Sequence, residues 1–112
     1  MKTALILTSL LFVAACAGTM QTASISEAYK KYDDQEYKRT LELIARAENS
    51  KAMTPETKAE LTFLKAKTYE GLGETDQAVT LYTYLKEQHE DSQYSYLADK
   101  QLEVLQKNNY SP

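Results

Sequence analysis

The stretch AKTYEGLGETDQAVTLYTYLKE, residues 66–87, reads as the end of one helix, a turn and a second helix. Ala66 and Tyr69 stand three residues apart and share one helical face. Gly71 and Gly73 then close the helix, because glycine accepts the left-handed backbone that ends it. Beyond the turn, Ala78, Leu81, Tyr82 and Leu85 recur with the spacing i, i+3, i+4, i+7, a single buried stripe. Two helices joined so tightly must lie antiparallel and bury their stripes against each other.

The pattern continues in both directions. Upstream, TPETKAELTFLKAKTYEGLG (54–73) opens with Thr54 as N-cap and Pro55 at the first helical position, where the missing N–H costs nothing. Its expected apolar face is Leu61, Leu64, Thr68 and Leu72, flanked by Phe63, Ala66 and Tyr69. Before it, residues 35–49 repeat the helical spacing through Tyr37, Leu41, Ile44 and Ala47. SISEAYKKYDD has Ser24 with Glu27 three residues on, a capping-box pattern that predicts a helix over 24–34. Downstream, the helix begun at Thr75 is expected to run to Asp91. A last helix is read from 91–107, capped by Asp91 or Ser92, and places Tyr94, Leu97, Ala98, Leu102 and Leu105 on one face. No run alternates with period two for long, so the expected class is all-α, with about five helices.

Two helix pairs overlay at a constant offset. Ala28 aligns with Ala66, Tyr37 with Thr75, Thr40 with Ala78, Ile44 with Tyr82 and Ala47 with Leu85. The offset is slightly longer than the period of about 34 residues found in one common helical repeat. In these residues the chain resembles the tetratricopeptide repeat (TPR) family. Ala66, Tyr69, Gly73, Ala78 and Tyr82 fit its small, aromatic and turn positions. Thr40 and Gln35 depart from them in the first pair, and Glu90 stands where the second pair would carry proline. KEQHEDSQYSYLADKQL is similar to a joint in periplasmic TPR proteins of the Tol-Pal coordinator and outer-membrane assembly types. The resemblance covers roughly residues 26–106 and implies an α-solenoid of antiparallel helix pairs.

The leader has another character. MKTALILTSLLFVAACAG carries one positive charge, Lys2, then an apolar core over 4–15. That core is short of the roughly 20 residues a spanning helix needs and follows the pattern of a secretory signal peptide. Val13, Ala14, Ala15 and Cys16 resemble the lipobox of bacterial lipoproteins. The resemblance implies diacylglyceryl attachment at the Cys16 sulfur and acylation of its exposed amine. It implies an anchor of two or three chains, where one alone holds only marginally. Ala17, in place of aspartate, is similar to the pattern of lipoproteins sent to the outer membrane. The expected division is residues 1–15 signal peptide, 16–23 lipidated cysteine and tether, 24–107 TPR-like helical domain, and 108–112 frayed tail.

The 112 residues carry a net charge of −3 and no basic block, so nucleic acid is not an expected partner. One cysteine and one histidine, His89, give no nucleophile–base pair and too few soft ligands for a metal; no cofactor and no enzymatic activity are expected. The acidic pairs Asp33–Asp34, Glu90–Asp91 and Glu56–Glu60 read as turns and solvated faces. Nine tyrosines against two phenylalanines and no tryptophan favour contact surfaces, since tyrosine combines area with a polar tip. Tyr69 and Tyr82 are expected in the core, Tyr84 and Tyr96 off the apolar stripes. Through the family resemblance, the first helix of each pair lines a concave groove, with Tyr29, Lys30, Thr62, Lys65 and Tyr69 as candidates for holding an acidic peptide. The expected role is a lipid-anchored periplasmic adaptor or scaffold that binds an envelope protein or peptide. A second role, capping or tethering a larger TPR assembly through the helix ends, follows from the short array, as does self-association.

Overall fold

The structure, a computed structural model, describes residues 20–109. Among them the chain is all-α: α1 over residues 20–33, α2 Tyr37–Glu48, α3 Pro55–Gly71, α4 Thr75–Gln88 and α5 Gln93–Asn109. α3 is the central element. It packs on α2, α4 and α5, and α4 packs on α5.

The centrality of α3 explains its composition. Leu61 and Leu64 join Ala28 of α1 and Leu43, Ile44 and Ala47 of α2 in one core cluster, with Ile25, Tyr32 and Met53 packed around it. Ala59 and Ala66, on other faces of α3, join Ala78, Tyr82 and Leu85 of α4 and Ala98 of α5 in a second. Small residues at 59, 66, 78 and 98 let the helices approach closely, and the large side chains fill the space beside them. Each fully buried leucine contributes about 1.5–3 kcal/mol relative to exposure.

The two helix pairs turn in the same way. Gln35 N–H donates to Tyr32 O and Glu36 N–H to Lys31 O, both at 2.9 Å. In the second pair Gly73 N–H donates to Glu70 O at 3.0 Å and Glu74 N–H to Tyr69 O at 2.9 Å. This paired closure satisfies the last carbonyls of the helix and needs a left-handed residue. Gly73 supplies it at φ 78° and Gln35 at φ 61°. The next helices then begin at matching residues, and Thr40 and Ala78 are both fully buried. Thr40 is tolerated at the crossing because its hydroxyl donates to Glu36 O at 2.9 Å. Buried Thr68 does the same to Leu64 O at 2.7 Å.

The α3 start is as the sequence indicates: Thr54 Oγ1 accepts from Thr57 N–H at 3.1 Å, and Pro55 is the first helical residue. Three boundaries differ. Residues 20–23, read as tether, are already helical, so Ser24–Glu27 lies inside α1 and is not its cap; the rest of the 16–23 segment and the 1–15 leader lie outside the described residues. α4 ends at Gln88, where His89 leaves helical geometry. α5 begins at Gln93, with Ser92 Oγ accepting from Tyr94 N–H at 3.2 Å, one of the two caps the sequence indicates. It continues through Asn109, so residues 108 and 109 are helix rather than frayed tail.

Candidate functional site

Lys58, Thr62 and Lys65 fall on one stripe of α3, at i, i+4 and i+7. In the structure this stripe forms the floor of a groove of about 330 Å³ between α2 and α4. Glu48 at the end of α2 and Met53 of the following loop form one wall; Leu81 and Tyr84 of α4 form the other. Lys65 Nζ stands 3.5 Å from Glu48 Oε1, a long and solvent-exposed pair that competes weakly with a ligand. Lys58 adds a second ammonium. Thr62 donates its hydroxyl proton to Lys58 O at 2.7 Å, leaving its oxygen as an acceptor. Tyr84 is fixed by an edge contact with His89, ring centroids 5.5 Å apart. The groove thus offers two cations over apolar and aromatic walls, a surface suited to an acidic side chain or a terminal carboxylate.

The other sequence candidates do not join it. Tyr29 lies across α3, where its hydroxyl donates to Glu60 Oε1 at 2.8 Å. Burial, then the hydrogen bond to Glu60, raises the pKa of this phenol. Lys30 is exposed on the same short helix. Tyr69 shares the stripe of Thr62 and Lys65 but packs against the second core cluster, beyond the groove. The expected single concave surface is therefore two surfaces. Stripe 58–62–65 faces α2 and α4, whereas Glu60, Phe63 and Glu70 meet residues of α1, α4 and α5 on another side. Cys16 lies outside the described residues.

The second surface is internally bonded. The Tyr82 hydroxyl donates to Glu70, and Gln101 Nε2 donates to Glu70 Oε1 at 2.9 Å. Burial foremost, then the bond to Glu70, raises the Tyr82 pKa. Phe63 packs against Tyr82 and Tyr94 at centroid distances of 5.7 and 5.8 Å. Glu70 thereby ties α3 to α4 and α5, a role with no counterpart in the sequence pattern.

The groove candidates read from the sequence did not include Lys58, Glu48, Met53 or Leu81. Lys58 was available from its i, i+4, i+7 relation to Thr62 and Lys65; the walls came only with the packing of α2 and α4. Among the described residues no group of His, Cys, Asp or Glu is placed to hold a metal ion. No described helix is long and apolar enough to cross a membrane. Comparison with protein-family models, curated proteins and solved structures returned no match to the chain.

Proposed function

We propose that this protein is a lipid-anchored adaptor on the periplasmic face of the bacterial outer membrane, whose short TPR-like array binds an acidic peptide segment of an envelope complex. The observation that carries the reading is the groove over α3, where Lys58 and Lys65 stand beside the walls of Leu81 and Tyr84. The paired turns at Gln35 and Gly73 support the repeat. Val13–Cys16 supports the anchor. The role is non-catalytic: the sole histidine ends α4 against Tyr84 and has no nucleophile assigned to it.

A second reading has its own observation. On α5, Leu97 is 40%, Val104 47% and Tyr96 64% exposed. These residues stand outside both core clusters, and such an exposed apolar surface on the last helix is where a further helix would pack in a longer array. In this reading the protein caps or tethers a larger TPR assembly through its end.

Co-purification from membranes separates the two. A Lys58→Glu/Lys65→Glu variant loses its partner if the groove binds it and keeps it if α5 does. Leu97→Asp/Val104→Asp gives the reverse. Cys16→Ser tests the anchor independently, by release from the membrane fraction and loss of acyl mass. A partner retained by both double variants overturns both docking assignments.

A further inference from the structure

A second cavity lies at the start of α1 and the end of α2. It holds about 290 Å³ and is lined by Met20, Gln21 and Ser24 of α1 and by Arg46 and residues 49–51 at the end of α2. Gln21 is only 8% exposed, and its Nε2 has no hydrogen-bond partner among the described residues. A buried amide donor left unbonded is costly, of the order of 1–3 kcal/mol. The donor points to a missing acceptor.

The surroundings state which acceptor. Among the described residues, Arg46 and Lys51, like Lys30, Lys38, Lys58, Lys67 and Lys107, have no carboxylate partner within ion-pair distance, and of these Arg46 and Lys51 line the cavity. Ser50 Oγ accepts from Ala52 N–H at 3.2 Å, so its own proton is available to donate. At the C-terminus of α2, Asn49 N–H bonds Ala45 O and Ser50 N–H bonds Ala47 O; the partial negative charge that remains there favours the cations Arg46 and Lys51, which must outweigh it for an anion to bind. Two exposed cations without a carboxylate partner, a hydroxyl and an unbonded amide line one space, a set of groups that suits a tetrahedral oxyanion.

Position selects the source. Met20 is four residues after Cys16, at most about 14 Å of extended chain. Met20 itself is 71% exposed beside the cavity. Resting on the lipid-anchor reading, we infer that this cavity binds the phosphate of an anionic phospholipid headgroup, with Met20 at the acyl boundary, and so fixes how the domain stands on its membrane. The acidic residues Glu56, Glu87, Glu90 and Asp91 gather instead at the α3–α4–α5 junction. An anionic surface repels that corner and attracts this one.

The full chain in nanodiscs tests the inference. Intact mass first reads acylation at Cys16, so failure of the anchor is seen separately from failure of the site. The side-chain amide resonance of Gln21 is then compared in phosphatidylcholine discs, in discs containing phosphatidylglycerol, and in phosphatidylcholine discs with inorganic phosphate. The expected result is a shift with phosphatidylglycerol alone. Apparent affinity for that lipid is expected to weaken about fivefold for Arg46→Gln and again for Lys51→Gln, as each cation near the surface is lost. Gln21→Leu, which keeps the packing volume, is followed through the Ser50 amide and also weakens binding. An equal shift with inorganic phosphate overturns the lipid as source. No shift in any disc, or an unchanged response in Arg46→Gln, overturns the site.

Discussion

Replacing Gln35 by glycine is expected to stabilise the fold, and the magnitude follows from the turn it occupies. Gln35 sits at φ 61°, where a side chain meets its own carbonyl. That conformation costs an L-residue roughly 1–2 kcal/mol. Glycine relieves it but loses about 0.4–1 kcal/mol through the freedom it gains in the unfolded chain. The net gain is about 0.5–1 kcal/mol. Gln35 is exposed, so little packing is lost. With a urea m-value of about 1–3 kcal/mol/M, the unfolding midpoint rises by a few tenths molar at unchanged slope. Gly73→Ala is the mirror test. The added Cβ meets nothing within 4 Å, so its cost of about 1 kcal/mol is backbone alone. Far-UV circular dichroism during urea unfolding reads both. A Gln35→Gly variant that unfolds earlier than the parent, or a neutral Gly73→Ala, refutes the equivalence of the two turns.

Other outcomes follow from single contacts. At Gly71 an added Cβ would overlap the Tyr37 ring, so Gly71→Ala is expected to displace the ring and destabilise by about 1–3 kcal/mol, relieved in Gly71→Ala/Tyr37→Ala, as thermal melting of both variants reads. Tyr82→Phe removes one of two donors to Glu70 and is expected to cost about 1.5–3 kcal/mol by the same assay; a double-mutant cycle with Gln101→Ala measures their coupling. Because the Tyr82 pKa is raised in the fold above its ordinary 10.0, its contribution is complete below pH 10 and is lost as pH rises beyond it. Alkaline titration followed at the phenolate absorbance should therefore show Tyr82 ionising together with unfolding, and a Tyr82 that ionises near pH 10 in the folded protein contradicts the placement.

How much of this was legible in the sequence differs from element to element. Thr54–Pro55 and Gly73 are explicit signals, because each residue type has few other uses at those positions. Gln35 carried no such signal; only its alignment with Gly73 revealed a turn that the backbone imposes against side-chain preference. The start of α1 was misplaced because Ser24 and Glu27 form a capping pattern that also suits a helix interior. The candidate site was split for a related reason. α3 is apolar or small on more than one face, with Leu61 and Leu64 turned to one cluster and Ala59 and Ala66 to the other. A helix buried on two sides has no single polar stripe to mark its outer face, so Lys65 and Tyr29 looked like neighbours. Their separation became evident only when Glu60 was found bonded to Tyr29 and Glu48 facing Lys65.

The central claim, that the groove over α3 holds the partner, is tested most directly by photo-crosslinking in living cells. A photoreactive residue is placed at Thr62 on the groove floor and, separately, at Tyr96 on the exposed side of α5. The account predicts a discrete envelope-protein adduct from position 62 that disappears when Lys65→Glu is added. An adduct from position 96 alone, or one from position 62 that survives Lys65→Glu, contradicts it.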